Sequence, residues 1–282
     1  LLGVAGAGAL ISPLLTRAAA TAKTPVEQLV RFPGKTDLIL RTDRPPQLET
    51  PLHYFLQDLT PNDAFFVRWH IEGIPTSVNL NTFRLRIGGH VETPLSLSFA
   101  DLRRQFEPVS LIAVNQCSGN SRSFFEPRVP GGQWGNGAMG NARWTGVRLR
   151  DLLDRAGVKA GAMDVSFSGL DRPPLAATPS FAKSLTIDHA RDGEVMVAYE
   201  MNGKELPMLN GFPLRLVVPG WYATYWVKSL HEITVLSEPF HRFWMDTAYR
   251  IPNTPNANES PGHPATDTVP INRMCVRSLF VR

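Results

Sequence analysis

The feature that most constrains the fold is a short apolar run, residues 108–114, which ends at a polar segment that contains a cysteine, residues 115–122 (NQCSGNSR). A run of this length bounded by turn residues is typical of a buried strand, and the Ser-Gly-Asn sequence after Cys117 indicates a turn. Cys117 is therefore expected at a strand end, a common place for functional residues. Arg122 would favour the thiolate, which acts as a nucleophile or as a ligand to a soft metal. Alternatively, Cys117 is an inert buried thiol.

Several other segments have the pattern of strands. Apolar or alternating runs predict them at residues 65–70, 83–87, 164–168, 194–200, 214–218 and 232–236. The Asn202-Gly203 pair is a strong hairpin signal and indicates a turn after the strand at 194–200. Strands that alternate with short helices and long loops predict an α+β fold with mixed sheets.

Two helices are expected between these strands. One spans residues 98–106, with Ser98 as its N-cap, and the other spans residues 148–156 and ends at Gly157. Residues 24–60 are rich in proline and polar residues, which predicts an extended segment on the surface.

Composition excludes several functional classes. With 282 residues, of which 43% are hydrophobic and 19% charged, the chain can form one large globular domain. The net charge of +4 is spread without a basic run, which argues against nucleic acid and suits an anionic substrate or an acidic protein. Cys117 and Cys275 offer neither a disulfide framework nor a zinc motif, and the lack of Cys-x-x-Cys-His excludes a c-type haem on this chain. Cys275 is expected to be an ordinary buried thiol.

The first twenty residues have the apolar core and small-residue tail of an export signal. The run is short and glycine-rich for a membrane span, so no span is expected in the mature protein. A twin-arginine segment is expected to precede it, which would send the protein to the periplasm. The alternative is an apolar helix packed on the core.

Read together, several segments resemble the catalytic domain of the sulfite oxidase family of molybdenum enzymes. Residues 116–122 (QCSGNSR) fit the family's QC-[SA]-G-N-x-R segment, in which the cysteine thiolate ligates molybdenum. Residues 137–149 (GAMGNARWTGVRL) resemble a mostly structural stretch, in a form similar to that of bacterial sulfite dehydrogenases. The resemblance covers roughly residues 31–282. It implies a molybdenum-molybdopterin cofactor with Cys117 as its metal ligand, and no haem in this chain.

Residues 66–70 (FVRWH) resemble the family's F-V-R-x-H segment, which lines the cofactor pocket. Alternation alone places Arg68 and His70 on one face of a strand, and a solvated face would explain them equally well. The resemblance implies that Arg68 meets the substrate oxygens and that His70 lies near the pterin. Phe66, Val67 and Trp69 belong to the same cofactor-binding segment, although Trp69 falls at a variable position and is expected to face away.

Residues 211–220 (GFPLRLVVPG), followed by Trp226, Val227 and Lys228, resemble the segments that surround the pterin phosphate in this family. Arg215 and Lys228 lie within apolar strands, where a charge is costly unless an anion meets it. Ion pairs with Asp or Glu would satisfy them, but the resemblance implies that they bind the phosphate. Asn210 stands where animal members have a histidine, and its amide could still serve the pterin ring.

Two further residues complete the set that the resemblance implies. Asp171, in Gly169-Leu170-Asp171, would accept hydrogen bonds from the pterin, and a plain turn aspartate is its alternative. Tyr249 falls where the family has an active-site tyrosine, and an amphipathic core tyrosine is its alternative.

The resemblance also implies a division of the chain. Residues 1–23 are the remnant of an export signal, residues 24–265 form the molybdopterin-binding catalytic domain, and residues 266–282 begin a C-terminal immunoglobulin-like domain. In the family that domain dimerises, so a homodimer formed through it is an expectation.

The implied activity is oxidation of sulfite to sulfate by oxygen-atom transfer, with electrons passed to an external c-type cytochrome. Cys117, Arg68, Arg122 and Tyr249 are the expected catalytic residues, and the two arginines would neutralise and orient the substrate dianion. Alternatives of the same fold are a methionine sulfoxide or other S-oxide reductase and a sulfane dehydrogenase. An alternative from another class is a cofactor-free binding or scaffold module.

Overall fold

The computed structural model describes residues 27–260 and 262–281. The export segment predicted over residues 1–23 lies outside these ranges. Within them, strands predominate and helices are few and short, which confirms the predicted α+β class. No helix of the described ranges is both long enough and apolar enough to cross a membrane.

The strands of the described residues are numbered in chain order. They are β1 (Leu29–Arg31), β2 (Asp37–Thr42), β3 (Gln47–Glu49), β4 (Val67–Arg68), β5 (Leu85–Gly89), β6 (Leu95–Leu97), β7 (Val109–Gln116), β8 (Met139–Arg148), β9 (Asp164–Gly169), β10 (Ala182–Thr186), β11 (Met196–Met201), β12 (Lys204–Glu205), β13 (Arg215–Val217), β14 (Leu230–Leu236), β15 (Arg250–Pro252) and β16 (Thr268–Pro270).

Strands β1 to β4 form a four-stranded antiparallel sheet in chain order. The segment 24–60, predicted as extended and on the surface, thus includes three paired strands of a sheet. Leu38 and Leu48 are fully buried and pack with Val67, Trp69 and Leu209 in a small second core. Burial of these apolar side chains explains why a proline-rich segment folds onto the domain.

A five-stranded sheet has the order β10-β9-β14-β5-β6. Strand β14 pairs parallel with β5 and antiparallel with β9. The main hydrophobic core includes residues of this sheet, such as Phe167 and Ile233, and residues of β8 and β11, such as Trp144 and Val197.

A further sheet has the order β12-β11-β8-β7, with β13 also paired to β11. The turn between β11 and β12 has positive φ angles at Asn202 (53°) and Gly203 (73°), as the predicted hairpin requires. Strands β7 and β8 pair antiparallel over their length, from Val109 opposite Gly146 to Gln116 opposite Met139. This hairpin-like pair carries the candidate site, because the segment 117–122 follows β7 directly.

The two predicted helices are present as α1 (Phe99–Gln105) and α2 (Leu149–Ala156). Ser98 caps α1 in a capping box with Asp101. Helix α2 buries Leu149, Leu152, Leu153 and Ala156, one face at helical spacing, and ends at Gly157 in the left-handed conformation. The short helices α3 (Ile187–Ala190) and α4 (Phe243–Asp246) are additional.

Residues 268–274 contact earlier parts of the chain. Strand β16 pairs antiparallel with β15, and Arg273 forms an isolated bridge with Trp221. The Met274 amide donates to the carbonyl of Gly220 at 2.8 Å. Cys275 is exposed, so the prediction of a buried thiol was wrong.

Candidate active site

Cys117 follows directly after β7, where the backbone leaves the sheet. Its amide donates to the Ala138 carbonyl at 2.9 Å, so the pairing with β8 continues one residue beyond the strand. The chain then turns, since the Asn120 amide donates to the Cys117 carbonyl at 3.0 Å and the Gly119 amide donates to Cys117 Sγ at 3.4 Å. A Cβ atom at Gly119 would lie 2.5 Å from Arg122 Nη1, so glycine lets the arginine pack against this turn. One turn thus holds both the thiol and Arg122.

Two cavities meet at Cys117. Four residues line both of them, namely Arg68, Cys117, Ser118 and Tyr249. The inner cavity has twelve lining residues, Phe66, Arg68, His70, Asn115, Cys117, Ser118, Asn210, Arg215, Ala223, Thr224, Lys228 and Tyr249. The outer cavity, of about 410 Å³, is lined by Gln47, Arg68, Cys117, Ser118, Gly119, Arg122, Gly131, Gly132, Trp134, Tyr249, Arg250, Ile251 and Ile271.

The guanidinium of Arg215 is buried beside the inner cavity. Its Nη1 donates to the Asn210 carbonyl and its Nη2 to Asn115 Oδ1, both at 3.0 Å. Its Cζ lies 5.3 Å from the ring centroid of Trp144 and 5.9 Å from that of Trp226. Burial lowers the pKa of Arg215 to about 9. Both hydrogen bonds go to neutral oxygens, and among the described residues Arg215 has no partner for the ion pair that was the alternative from sequence.

Lys228 is the second buried cation of the inner cavity. Its Nζ lies 4.7 Å from the ring centroid of Trp69. Burial lowers the pKa of Lys228 well below its ordinary value, the charge of Arg215 lowers it further, and Asp171 only partly offsets them. Two buried cations close enough to affect each other favour an anionic ligand, because an anion would stabilise both charges.

The inner cavity also collects polar atoms that lack partners. His70 Nε2, Asn115 Nδ2, Arg215 Nε and Thr224 Oγ1 are buried and make no hydrogen bond within the described part of the chain. Buried polar groups are nearly always hydrogen-bonded, and leaving one unpaired typically costs about 1–3 kcal/mol. Four such atoms around one cavity indicate that it is built for a polar ligand.

His70 is held by aromatic packing. Its ring stacks on Phe181 with centroids 3.8 Å apart and an interplanar angle of 14°, and Tyr249 meets it edge-on at 5.3 Å. Burial, and then the charge of Arg68, lower the pKa of His70 well below its ordinary value. The imidazole is therefore neutral at pH 7, with Nε2 left to meet a ligand.

The outer cavity has a different electrostatic character. Its described lining includes three arginines, Arg68, Arg122 and Arg250, and no aspartate or glutamate. Arg122 Nη1 donates to the Gly132 carbonyl at 3.3 Å. The guanidinium of Arg250 already makes more hydrogen bonds within the protein, because it donates to Thr268 and to the Met245 carbonyl. This cavity can attract a small anion close to Cys117.

Tyr249 lines both cavities and is hydrogen-bonded to Arg68, which also lines both. Its hydroxyl accepts a hydrogen bond of 2.8 Å from Arg68 Nη2, and Arg68 Nη1 donates to the Trp69 carbonyl. Tyr249 has φ 59°, an uncommon backbone conformation for a non-glycine residue. Burial raises the pKa of Tyr249 more than the charge of Arg68 lowers it, so the phenol stays protonated near neutral pH.

The structure brings most of the predicted residues together. The inner cavity contains seven of the predicted cofactor-binding residues, Phe66, Arg68, His70, Cys117, Asn210, Arg215 and Lys228, and the predicted catalytic residues all line one or both cavities.

Five predicted residues do not line either cavity: Val67, Trp69, Trp226, Val227 and Asp171. Val67 and Trp69 alternate with the lining residues Phe66, Arg68 and His70 and pack in the small second core. Trp226 and Val227 pack in the main core. Asp171 is buried, and burial raises its pKa more than Lys228 lowers it.

Sequence reasoning missed other lining residues. Asn115 could have been found, since it stands two positions before Cys117 and shares its face of the strand. Gln47 is paired with Arg68 between β3 and β4, a contact that no local pattern indicates. Thr224 lies in a 3-10 turn, Ala223–Tyr225, that also has no sequence signal.

Comparison with known proteins identifies the family. The model of the oxidoreductase molybdopterin binding domain matches residues 70–244. The chain belongs to the sulfite oxidase family of molybdopterin-binding oxidoreductases. The sulfite oxidase of Gallus gallus is 37% identical over 228 residues, which are 78% of this chain and 48% of that protein. The sulfite oxidase of Arabidopsis thaliana is 32% identical over 86% of this chain and 65% of its own length.

A solved structure extends this likeness to the fold. The crystal structure of the sulfane dehydrogenase SoxCD from Paracoccus pantotrophus superposes with a TM-score of 0.66 and 25% identity, and the match covers 92% of this chain and 64% of that one. This chain thus spans about half the length of the Gallus gallus relative and about two thirds of the sulfane dehydrogenase chain. Both of these sulfite oxidases are eukaryotic, and the predicted similarity to bacterial sulfite dehydrogenases stays a prediction.

The polar and charged groups that line the inner cavity suit the cofactor of this family. A pterin with a phosphate needs cations and several hydrogen-bonding groups, and Arg215, Lys228 and the four unpartnered atoms provide both. The adjacent thiol of Cys117 suits a soft transition metal.

Proposed function

We propose that this protein oxidises sulfite to sulfate with a molybdenum cofactor and passes the electrons to an external c-type cytochrome. The observation that carries the proposal is the outer cavity, where Arg68 and Arg122 adjoin Cys117 and no carboxylate is present in the described lining. Such a cavity suits a small oxyanion, because guanidinium groups bind oxyanions through charge and paired hydrogen bonds.

The cofactor would be held by the inner cavity, with Arg215 and Lys228 at its phosphate, His70 and Asn115 at polar atoms of the pterin, and Cys117 on the metal. When bound, this cofactor supplies the oxygen-atom and electron-transfer chemistry of the reaction. The neutral imidazole of His70 can then donate or accept a hydrogen bond without adding another positive charge.

The remaining residues act on the substrate. Arg68 and Arg122 would neutralise the sulfite dianion and hold its oxygens near Cys117. Tyr249 keeps its proton near neutral pH and already accepts a hydrogen bond from Arg68, so its hydroxyl can donate to an oxygen of the bound anion. Trp134 and Ile271 add apolar surface to the lining of this cavity.

A second candidate is sulfane oxidation, which the likeness to the sulfane dehydrogenase SoxCD favours. Its substrate would have to reach the same arginine-lined cavity. Reduction of a neutral S-oxide is less well supported, because a neutral substrate gives Arg68 and Arg122 no charge to neutralise.

We also propose a periplasmic location, export by the twin-arginine route and a homodimer. The apolar, small-residue pattern of residues 1–20 supports export, and the resemblance of residues 266–282 to the start of a dimerisation domain supports the dimer.

A steady-state assay tests the proposal. Protein produced in a host that makes molybdopterin is expected to reduce cytochrome c with sulfite, with saturation by sulfite. A sulfane-sulfur donor in place of sulfite tests the second candidate. Absence of both molybdenum and pterin from such a preparation would favour the scaffold alternative, and a loaded protein that is inactive with sulfite would refute the sulfite proposal.

A further inference from the structure

Lys35 is a buried lysine that lies before the matched domain, which begins at residue 70. It follows β1, and its amide donates to the Phe32 carbonyl at 2.9 Å in a tight turn. Its Nζ donates to the carbonyls of Asn62 at 2.8 Å and Phe65 at 3.0 Å, and also to Asn210 Oδ1. Three donors thus meet three neutral oxygens. One of these oxygens belongs to a residue of the inner cavity.

This contact fixes how the Asn210 amide is oriented. An ammonium can only donate a hydrogen bond and a backbone carbonyl can only accept one. Because Lys35 meets Oδ1, the Nδ2 of Asn210 must face the Phe66 carbonyl, to which it donates at 3.0 Å. A reversed amide would place two donors together at Lys35 and two acceptors together at Phe66.

Asn210 in turn connects the elements that surround the inner cavity. Its carbonyl accepts from Arg215, and the carbonyl of the preceding Leu209 accepts from Trp69 Nε1 at 3.1 Å. The turn Met208–Asn210 therefore binds two elements. One is the segment that contains Phe66, and the other is the buried guanidinium of Arg215. The Asn210 side chain binds the Phe66 carbonyl and the Asn210 backbone carbonyl binds Arg215, so a displacement of Asn210 as a whole would move both groups.

We propose that Lys35 is a positioning residue of the cofactor pocket, which acts by orienting Asn210 and so aligns Arg215 and the Phe66 segment for the cofactor. Lys35 lines neither cavity. The inference rests on the family's cofactor and not on the choice of sulfite as substrate. Burial lowers the pKa of Lys35 to about 7, so an anionic cofactor nearby would also favour its charged form.

The test measures how tightly the protein keeps its cofactor. Lys35→Met keeps the length of the side chain and removes its donors, whereas Lys35→Gln keeps a donor. Each variant is produced in a host that makes molybdopterin, and the pterin content per protein and the rate of pterin loss on dilution are measured by fluorescence. Lys204→Met, at an exposed lysine of the β11–β12 hairpin, is the matched control.

Loss of a hydrogen bond to a charged group typically costs about 1.5–3 kcal/mol, so Lys35→Met is expected to lose pterin about 10-fold to 100-fold faster. Lys35→Gln is expected to lie between Lys35→Met and the wild type. Lys35→Met combined with Asn210→Ala is expected to be no worse than Asn210→Ala alone, because Lys35 acts through Asn210.

Retention of pterin by Lys35→Met at the wild-type rate would overturn the proposal, and so would effects of Lys35→Met and Asn210→Ala that simply add. If Lys35→Met fails to fold, Lys35→Gln takes its place in the double-mutant cycle. Faster pterin loss than in the wild type is again expected, and loss at the wild-type rate would again overturn the proposal. Neither measurement depends on sulfite, so failure of the proposed activity would leave this test intact.

Discussion

The two cavities that meet at Cys117 differ in how their cations are held. In the inner cavity, Arg215 and Lys228 are buried, their pKa values are lowered by burial, and unpartnered polar atoms surround them. In the outer cavity, Arg68 and Arg122 are only partly buried, and one unpartnered buried atom, Gln47 Oε1, belongs to the described lining. Buried, unsatisfied groups suit a ligand that stays bound, whereas partly solvated cations suit one that enters and leaves. Changes in the inner cavity should therefore alter cofactor content, and changes in the outer cavity should alter kinetics.

The largest effect is expected where the cavities meet. Cys117→Ser should nearly abolish sulfite oxidation while the fold and the pterin remain, because a hydroxyl is a harder and far less acidic ligand than a thiol. Turnover is measured per molybdenum bound, with Cys275→Ser at the exposed thiol as control. Wild-type turnover in metal-loaded Cys117→Ser would show that Cys117 is not a ligand of the metal.

A change within the inner cavity should act on cofactor content. Arg215→Met leaves the Asn210 carbonyl and Asn115 Oδ1 without their donor and removes a cation, so pterin affinity should fall by about 10-fold to 100-fold. The KM for sulfite of the loaded fraction should stay the same. Arg155→Met, at an exposed arginine 5.2 Å from the ring centroid of Phe106, is the control. A raised KM at normal pterin content would contradict the division between the cavities.

A change in the outer cavity should act on the substrate. Arg122→Gln should raise the KM for sulfite by about 10-fold to 100-fold, since a charge-assisted contact to an anion contributes about 1.5–3 kcal/mol. Pterin content should match the wild type. Arg128→Gln removes an exposed arginine from the same loop and should leave the KM unaltered. An unchanged KM in Arg122→Gln would assign that arginine a structural role.

Tyr249→Phe should have a smaller effect on turnover than Cys117→Ser. The ring and its packing remain, so stability should change little, while Arg68 loses the oxygen that accepts its hydrogen bond. We expect kcat to fall by less than the factor of about 10² that marks the lower end of a direct acid–base role, with slower electron transfer to cytochrome c in flash kinetics. Kinetics equal to the wild type across the pH range would make Tyr249 a core residue only.

The smallest effect is expected on stability, at Lys183, a buried lysine that lines neither cavity. Lys183 is fully buried, its Nζ donates to the Trp244 carbonyl at 2.6 Å, and burial lowers its pKa to about 7. Between about pH 7 and pH 10.5, the unfolded chain therefore binds a proton that the folded protein has released. The free energy of unfolding should rise with pH across this window.

Urea unfolding at pH 7 and at pH 9 checks this sign. Lys183→Met should show a smaller rise than the wild type, whereas Lys204→Met, which removes an exposed lysine, should show the same rise as the wild type. An equal pH dependence in Lys183→Met and the wild type would mean that Lys183 titrates alike in both states.

The sequence by itself determined the strands, turns and helix ends that depend on a pattern of neighbouring residues. Alternation and an apolar run predicted the strand before Cys117, the pair Asn202-Gly203 predicted its hairpin, and Ser98 and Gly157 predicted two helix ends. These signals depend on neighbouring residues, because periodicity and turn geometry act over only a few positions. The motif around Cys117 and the other resembling segments also gave the family.

Tertiary structure alone decided which side chains share a cavity and which support it. Gln47 reaches the outer cavity because β3 pairs with β4, and Lys35 reaches Asn210 across 175 positions of the chain. The sheet formed by residues 29–49 with β4 was not predicted, because the segment 24–60 is polar and proline-rich and contributes few buried leucines to it. Such contacts arise from long-range packing, in which burial and hydrogen bonding are satisfied by distant residues that leave no periodic pattern in the sequence.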